Sequence, residues 1–587
     1  MAPPRFPERY HDPEYQSTHR ELQSNSLIRP LEAVLPPGVS QTDFDRAIKE
    51  YTDVVGEDGV FTGQALEDYI DPYELWEAEG KRRMPSGAVC PRSVEELRGV
   101  LQISNKYGIP VWTFSRGKNL GYGGPAPRLN GSLSLDLHRM NKIIEVNERF
   151  AYAVVEPGVT FADLYEHCAK HKLKVWPSTP SLGWGSVIGN TLDRGTGFTP
   201  TATHHQHMCG LEAMLASGDD GASLVRTGQF GISGPPSPSP SAHLSKFAFG
   251  PSVDGLFLQS NLGVVTKMGV WLTPAPQAYV ACALDVPELA DVEALVDAFG
   301  ALRTEAGLLQ ASTVYVSGVV EWVAVVKGRR ANVWPEGRGV IPEARLRELQ
   351  RELGFGAWNA RFGLYGRKRV VQAQFEELKA ILAARVPRGE FRGTLFAAEG
   401  EGETLDPTTV PEPHGGFWVG VPSLWSLPMV KFRLPLEEGK GVAAHIDYSP
   451  IVPSDGKVVL DWIGTAKAIC EAEGFDLMCD FFMHERHVIF VNMMVFDKTD
   501  PEQRRAVEAI YQRLFQEGKK RGFSNYRSHV NYMDQVADLY DFNDHAYRRF
   551  VESLKDTLDP NGILSPGKQG IWPKKYRDNK ETLKSHL

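Results

Sequence analysis

The apolar residues between positions 93 and 114 change from helical spacing to an unbroken run. Over 93–108 they repeat every third or fourth position, which predicts a helix, and Ser93 and Glu96 have the spacing of a capping box at its start. The run at 109–114 predicts a buried strand. A helix leading directly into a strand is therefore predicted over 93–114.

Further strands follow at short intervals. Leucines alternate with other residues over 133–137, and the stretches 143–146 and 151–155 are apolar, with a turn at Asn147 between them. A helix is predicted over 160–171. Because helices and strands mix here without regular alternation, the pattern indicates an α+β fold rather than a doubly wound sheet.

A change of pattern near residues 274–276 indicates a second domain. The proline-rich segment 230–241 is predicted to be a loop. Beyond the prolines at 274 and 276, glycine-rich turns give way to amphipathic stretches at 286–299 and 343–353. No internal repeat is evident.

The composition describes a large protein with no sign of nucleic-acid or membrane binding. With 587 residues the chain is too long for one ordinary domain, and its net charge of -9 gives no electrostatic reason to bind nucleic acid. No apolar run approaches the length of a helix that spans a bilayer. The six cysteines lack C-x-x-C spacing, which favours reduced thiols over a zinc site or a disulfide framework.

A glycine-rich segment follows the first strand directly. Its sequence over 110–128 is PVWTFSRGKNLGYGGPAPR, and its glycines allow sharp turns that present backbone N–H groups to an anion such as a diphosphate. It matches neither the P-loop nor the G-x-G-x-x-G dinucleotide motif. A second cluster, PSLGWGSVIGNTLDRGTG at 180–197, offers the same chemistry, which makes a chance occurrence less plausible.

At these two loops the chain resembles the vanillyl-alcohol oxidase and p-cresol methylhydroxylase family of flavoproteins. Five further blocks occur in the family's order: EPGVTFADLYEH at 156–167, DGLFLQSNLGVVTKMG at 254–269, AHIDYSP at 444–450, NYRSHVNYMDQ at 525–535 and DPNGILSPGKQGIWP at 559–573. The resemblance implies an FAD-binding domain of two subdomains together with an α+β cap domain that binds the substrate.

The implied domain order is interrupted. Residues 1–280 are expected to form the N-terminal part of the FAD-binding domain, residues 281–515 the cap domain, and residues 516–587 a return that completes the FAD-binding domain. The active site is then expected at the junction of the two domains.

Members of this family bind a para-substituted phenol as its phenolate and transfer hydride from the benzylic carbon to flavin N5, which leaves a quinone methide. By resemblance, Tyr122, Tyr526 and Arg527 hold the phenolate oxygen. Two phenol donors and a cation suit this task, because a nearby opposite charge lowers the phenol pKa from its usual value of about 10. In isolation a tyrosine could instead pack on a turn and an arginine pair with a surface acid, but the surrounding motif favours the binding role.

His445, in the segment AHIDYSP, matches the histidine to which oxidases of the family attach FAD covalently. The resemblance implies that this bond raises the redox potential of the flavin and retains the cofactor. Relatives with this linkage have a second histidine upstream, whereas residues 71–73 are followed here by Glu74. A second, cysteinyl bond is not expected, because the loop that carries cysteine in bicovalent relatives reads STPSLG here.

Two positions depart from the oxidase pattern near the reacting carbon. Ser181 stands where vanillyl-alcohol oxidases have an aspartate that assists hydration of the quinone methide, and an ungapped alignment from His445 places Asp480 where they have a small polar residue. A carboxylate in a half-apolar cavity can act as a general base toward water. Asp480 is therefore expected to direct water to the opposite face and to invert the product configuration with substrates such as 4-ethylphenol. The alternative is that Asp480 caps a strand or pairs with Arg486.

The remaining matches concern FAD contacts. The two loops are expected to line the pyrophosphate, Val264 and Val265 to meet the adenine side, and Lys568 to reach the flavin or a phosphate. The loop residues are Ser115, Arg116, Gly117, Lys118, Asn119 and Gly121 in the first loop, and Pro180, Gly183, Gly185, Ser186, Gly189 and Asn190 in the second. The segment 484–487, with two histidines and a glutamate, could suggest a metal site, but no metal is expected because hydride transfer to flavin requires none.

The expected function is oxidation of 4-hydroxybenzylic alcohols, 4-alkylphenols or 4-allylphenols, with oxygen reoxidising the flavin and yielding hydrogen peroxide. The alternatives are a dehydrogenase that passes electrons to a cytochrome, an alcohol or sugar oxidase on the same scaffold, and a flavin-binding protein without turnover.

The ending Ser585-His586-Leu587 resembles a peroxisomal address. A homodimer or larger homo-oligomer is expected, with no nucleic-acid or membrane partner.

Overall fold

The computed structural model describes residues 30–578 except 219, 236, 310–312, 336–338, 413, 425 and 438. Its first layer is a sheet of β1 Val60–Phe61, β2 Ala88–Val89, β3 Val111–Phe114 and β4 Leu133–Asp136, in the order β1-β2-β4-β3. Strands β2, β4 and β3 run parallel. Helices α1 Gln41–Val55 and α2 Val94–Tyr107 share a buried core with this sheet.

The next sheet is antiparallel and forms a second subdomain. Its elements and their neighbours are β5 Ile143–Asn147, β6 Tyr152–Val155, α3 Phe161–Lys170, β7 Val175–Trp176, α4 Val187–Leu192, β8 Met208–Leu215, β9 Ser223–Arg226, β10 Val264–Trp271 and β11 Thr273–Pro274. The strand order is β5-β6-β10-β8-β9, and β7 pairs separately with β11. Thr160 and Asp163 form a complete capping box at the start of α3, as the residue types there favour.

A larger antiparallel sheet follows. Its strands are β12 Ala278–Val286, β13 Val314–Gly318, β14 Trp358–Gly366, β15 Glu390–Ala397, β16 Ala443–Tyr448, β17 Ile451–Pro453, β18 Met478–Met483 and β19 His487–Asp497. Within the described residues their order is β15-β12-β14-β13-β18-β19-β16, and β17 also pairs with β19. The accompanying helices are α5 Val292–Thr304, α6 Val319–Lys327, α7 Glu343–Leu353, α8 Lys368–Arg385, α9 Gly456–Ala472 and α10 Pro501–Lys520. Side chains of α5, α8, α9 and α10 share one buried core with the sheet.

The C-terminal segment returns to the first sheet. It contains α11 Met533–Ala537, α12 Phe542–Leu558 and α13 Lys574–Arg577. Leu564 forms a parallel bridge with Val111 of β3. The buried Lys555 donates from Nζ to the Leu564 carbonyl oxygen at 2.6 Å and pairs with Asp559 at 2.7 Å. Since a buried charge needs a partner, this pair fixes the returning chain beside β3.

The differences from the predicted elements have local causes. The amphipathic stretch at 286–299 contains most of α5, which starts at Val292 because Val286 still belongs to β12. At the start of α2, the Glu96 N–H donates to Ser93 Oγ at 3.1 Å, but the Glu96 carboxylate accepts the N–H of Arg92. The predicted capping box is therefore half formed.

Two predictions concern compartment and membrane. No helix within the described residues is both long and apolar enough to cross a lipid bilayer. The predicted peroxisomal address at 585–587 lies outside the described residues.

Candidate active site

The first glycine-rich loop leaves β3 and docks on β16. Gly121 has a φ of 80, and a Cβ atom there would lie 2.3 Å from Asp447 Oδ2 and 2.4 Å from His445 Cε1. Its carbonyl oxygen accepts the Asp447 N–H at 3.3 Å, and the hydroxyl oxygens of Tyr122 and Ser449 lie 2.8 Å apart. Glycine at 121 supplies both the backbone conformation and the space that this contact requires.

The second loop is fixed at the start of α4 and touches the first. Ser186 Oγ accepts the Gly189 N–H at 2.9 Å and donates to the Pro157 carbonyl oxygen at 2.6 Å. A Cβ atom on Gly189 would lie 2.3 Å from Ser115 Oγ in the first loop. The two loops therefore meet where only glycine leaves enough room.

Both loops line a cavity of about 390 Å³ that extends to strands of the large sheet. Most of the predicted site residues face it, namely Ser115, Arg116, Gly117, Lys118, Asn119, Tyr122, Pro180, Ser181, Gly185, Ser186, Gly189, Asn190, Val264, Val265, His445, Asp480, Tyr526, Arg527 and Lys568. Gly121 and Gly183 lie outside the lining and instead allow close packing. A Cβ atom on Gly183 would lie 2.3 Å from Pro422 Cβ.

The chemistry of the loop side fits a dinucleotide. Val264 and Val265 of β10 contribute apolar surface, and the Lys568 ammonium lies 5.8 Å from the centre of the Trp112 ring. Burial lowers the pKa of Lys568, and the carboxylate of Asp193 acts in the opposite direction. Glycine-rich backbone with cationic side chains nearby is the arrangement that holds a diphosphate, so these residues would bind the pyrophosphate of FAD.

His445 lies on β16 beside Asp447. Alternate residues of a strand share a face, and His445 Nδ1 lies 3.0 Å from Asp447 Oδ1. The His445 ring also lies 4.8 Å from the ring of Tyr73. Glu74 is engaged elsewhere, because its Oε1 accepts a hydrogen bond from Asn531 at 3.1 Å. Within the segment 71–74, Tyr73 is thus the residue whose ring packs against His445, and the Asp447 carboxylate contacts the imidazole at Nδ1 rather than Nε2.

Arg527 lies near two tyrosine rings in the cavity. Its guanidinium carbon is 5.6 Å from the centre of the Tyr122 ring and 4.9 Å from that of Tyr526. Nε donates to the Asp193 carbonyl oxygen at 2.8 Å and Nη1 to Asn119 Oδ1 at 3.2 Å. Nη2 is buried and has no hydrogen-bond partner among the described residues. The fixed guanidinium therefore offers a donor to an acceptor from outside the chain, since a buried unsatisfied donor is costly.

The chain after residue 523 brings these groups to β16. The Tyr526 N–H donates to the Ser449 carbonyl oxygen at 2.7 Å. Burial raises the pKa of Tyr122 and of Tyr526, so both phenols keep their protons at neutral pH. Burial acts to lower the pKa of Arg527, but Tyr526 and nearby acidic groups raise it overall. A buried cation between neutral phenols can stabilise an anionic oxygen.

A pair of buried carboxyl groups lies on the cavity wall formed by the large sheet. The Tyr315 hydroxyl on β13 donates to Glu321 of α6 and lies 3.3 Å from Asp480 Oδ2 on β18. Burial, and then the charge of Glu321, raises the pKa of Asp480 well above its ordinary value, while burial raises the pKa of Glu321 to about 7. Asp480 therefore contacts Tyr315 rather than Arg486, and Ser181 lines the same cavity.

Three residues of the site differ in how much local signal they carry. Asp447 lies two residues after His445 in a predicted strand, so the two side chains are expected on the same face of the sheet, and the motif AHIDYSP already includes both. Glu321 is the only acidic residue of the helix VVEWVAVVK, whose other residues before the final lysine are apolar, which marks it as unusual. Tyr315 carries no such mark, because its role depends on β13 lying next to β18.

One further group could hold a metal ion by distance alone. Within the described residues, ligand atoms of Cys90, Asp136 and His138 lie within 4.8 Å of one another. These residues are buried in the first subdomain and do not line the cavity. That the reaction needs no metal stays a prediction.

Two families match the segments that build the cavity. The FAD binding domain family matches residues 85–219, and the C-terminal domain family of FAD linked oxidases matches residues 426–569. The first range contains both glycine-rich loops, and the second contains His445, Asp480 and Arg527. The fold and the cavity thus define a flavin-dependent oxidoreductase.

Similarity to individual proteins extends over more than nine-tenths of the chain. The chain is 32% identical to the flavoprotein subunit of 4-cresol dehydrogenase (hydroxylating) from Pseudomonas putida, over 92% of this chain and 98% of that protein. It matches the structure of 4-ethylphenol oxidase from Gulosibacter chungangensis in complex with isoeugenol, with a TM-score of 0.83 and 32% identity over 93% of this chain and 100% of that one. It matches p-cresol methylhydroxylase with substrate bound at a TM-score of 0.80 and 31% identity, over 92% of this chain and 99% of that one. The chain belongs to the vanillyl-alcohol oxidase and p-cresol methylhydroxylase family, which confirms the family indicated by its motifs.

Replacing Gly121 tests the docking of the first loop on β16. Gly121→Ala places a side chain at a left-handed φ and against His445 and Asp447, and the backbone conformation alone costs about 1–2 kcal/mol. We expect a lower flavin content per purified chain and a lower thermal unfolding temperature. The control is Gly464→Ala on α9, where a Cβ atom meets nothing within 4 Å. Full flavin content and an unchanged unfolding temperature in Gly121→Ala would contradict this role.

Proposed function

We propose that the protein oxidises para-substituted phenols, with FAD as hydride acceptor and molecular oxygen as the final electron acceptor. The observation that carries this proposal is the buried Nη2 of Arg527, which has no partner among the described residues and lies near the rings of Tyr122 and Tyr526. A phenolate oxygen would supply the acceptor that this cationic donor needs. The names of relatives that act on 4-cresol, p-cresol and 4-ethylphenol support the same substrate class.

These three side chains, Tyr122, Tyr526 and Arg527, form what we call the phenolate clasp. Bound FAD would supply the acceptor for hydride from the benzylic carbon. The clasp would keep the ring ionised, which raises its electron density and stabilises the positive charge that develops at that carbon. The substrates expected are 4-hydroxybenzylic alcohols, 4-alkylphenols and 4-allylphenols.

The electron acceptor is the second part of the proposal. Similarity to a 4-ethylphenol oxidase supports oxygen, which would be reduced to hydrogen peroxide. Similarity to a 4-cresol dehydrogenase subunit supports the second candidate, a dehydrogenase that passes electrons to a cytochrome. A peroxisomal location and a homo-oligomeric state also remain proposals that rest on the sequence.

Anaerobic mixing with substrate tests the function. We expect vanillyl alcohol, eugenol and 4-ethylphenol to bleach the absorbance of the oxidised flavin, because the clasp would bind each as a phenolate. Arg527→Gln should lower the rate of bleaching by about 10²–10³-fold, the usual effect of removing one such electrostatic donor. Failure of all three phenols to bleach the flavin would overturn the proposal.

A second experiment distinguishes the electron acceptors. Air is admitted to photoreduced enzyme: reoxidation within seconds identifies an oxidase, and reoxidation over minutes identifies a dehydrogenase.

We also propose that His445 Nε2 carries the flavin covalently. Acid precipitation of the wild-type protein should then leave FAD in the pellet, whereas His445→Ala should release it into the supernatant. His171→Ala, which changes an exposed histidine after α3, is the control and should retain the flavin. Complete release of FAD from the wild-type protein would contradict the linkage.

Asp480 is proposed to direct water to the quinone methide. An amide cannot accept the proton of water, so Asp480→Asn should lower the yield of alcohol from 4-ethylphenol and change the enantiomer ratio. The control is Asp461→Asn, which changes an exposed aspartate on α9. Chiral analysis of the product measures both quantities, and an unchanged yield and enantiomer ratio would contradict the role of Asp480.

A further inference from the structure

Tyr315 bridges two carboxyl groups that come from different elements. Its hydroxyl on β13 donates to Glu321 Oε1 and lies 3.3 Å from Asp480 Oδ2. All three residues are buried, and all three line the cavity. The bridge therefore links Asp480, the carboxyl group expected to meet water, with a second carboxyl group, that of Glu321.

The number of protons in this bridge follows from the geometry. A phenol hydroxyl has one proton and lies within hydrogen-bond distance of both carboxyl groups, so both contacts are hydrogen bonds only if one of the two carboxyl groups carries a proton of its own. Among the described residues, no lysine, arginine or histidine forms an ion pair with either carboxyl group. Two adjacent buried carboxylates would therefore repel each other without compensation, which disfavours ionisation of both. Burial and the charge of Glu321 raise the pKa of Asp480, which favours the arrangement with a protonated Asp480, a neutral Tyr315 and an ionised Glu321.

Each carboxyl group also has one oxygen left over. Asp480 Oδ1 and Glu321 Oε2 are buried and have no hydrogen-bond partner among the described residues. Oδ1 is thus the acceptor with which Asp480 can meet a water molecule, while Oδ2 remains in contact with Tyr315. The Asp480 carboxyl group can in this way accept a proton on Oδ1 while it releases its own proton from Oδ2.

We propose that Glu321 is the terminal proton acceptor for water addition, reached from Asp480 through Tyr315. A water O–H bond breaks as its oxygen forms the C–O bond to the benzylic carbon, and the electron pair of the quinone methide returns to the ring to restore the phenolate. The water proton goes to Asp480 Oδ1, the Asp480 Oδ2 proton goes to the Tyr315 oxygen, and the Tyr315 proton goes to Glu321. The inference rests on the proposed phenol oxidation, and it gives Tyr315 and Glu321 positioning and proton-storage roles in that reaction.

The charges around the bridge agree with this sequence of transfers. Burial, the charge of Glu321 and then the charge of Asp447 on β16 raise the pKa of Asp480, which keeps it protonated before reaction. Burial raises the pKa of Glu321 above its ordinary value, so this carboxylate is a better proton acceptor than an exposed glutamate. Burial and both carboxyl groups raise the pKa of Tyr315 well above its ordinary value, so the phenol passes protons without ionising for long.

The experiment separates hydride transfer from water addition. 4-Methylphenol is mixed with the flavin-loaded enzyme without oxygen, because its quinone methide has no second side-chain carbon from which to lose a proton. Bleaching of the flavin reports hydride transfer, and decay of the near-ultraviolet absorbance of the quinone methide reports water addition. The variants are Glu321→Gln, Tyr315→Phe and the double variant, and the control is Glu412→Gln, which changes another glutamate whose pKa burial raises but which lies outside the cavity lining.

We expect flavin bleaching within about two-fold of wild type in every variant, and decay of the quinone methide slowed by about ten-fold or more in Glu321→Gln and in Tyr315→Phe. The double variant should be no slower than the slower single variant, because both changes interrupt one chain. Unchanged decay in the single variants, or two additive effects, would overturn the relay. Absence of bleaching in the wild type would overturn the proposed oxidation and the relay with it.

Discussion

The contact between the first glycine-rich loop and β16 is the constraint on which the site depends. Gly121 lies against His445 and Asp447 at distances that no side chain would permit, and the next residue, Tyr122, reaches Ser449. The same strand region receives the C-terminal segment through the Ser449 carbonyl oxygen and the Tyr526 N–H. One edge of the large sheet thus joins the loop that would bind the flavin diphosphate to the residues that would bind the substrate.

Charge is distributed unevenly over the cavity. Arg527 keeps its charge beside Tyr526 and pairs with the Asp193 carboxylate at 3.1 Å, and its Nη2 has no acceptor among the described residues. On the wall formed by the large sheet, the Tyr315 hydroxyl bridges the carboxyl groups of Asp480 and Glu321, which lack a cationic partner among the described residues. The proposed oxidation of a para-substituted phenol uses both environments, a cation for the ring oxygen and carboxyl groups for the water that adds to the benzylic carbon.

The elements near the glycine-rich loops could be predicted because their signals are local. Helix α2, strand β3 and the turns of both loops follow from apolar periodicity and glycine placement, and the family motifs located His445 and Arg527. The pairing of strands that are distant in the chain could not be predicted from the sequence. Tyr315 contacts Asp480 because β13 and β18 are neighbours in the sheet, although the two residues are 165 positions apart in the chain. Glu74 likewise stands after residues 71–73, where relatives with a histidyl linkage were expected to have a second histidine, whereas in the fold its side chain accepts a hydrogen bond from Asn531.

The phenolate clasp is tested most directly by the ionisation state of a bound phenol. Isoeugenol is titrated into the oxidised enzyme at several pH values, and the near-ultraviolet difference spectrum distinguishes bound phenol from bound phenolate. If Arg527 supplies its remaining donor to the ligand oxygen, the pKa of bound isoeugenol lies well below that of a free phenol, which is about 10, and Arg527→Gln removes the decrease. Isoeugenol bound with an unchanged or raised pKa would contradict the clasp.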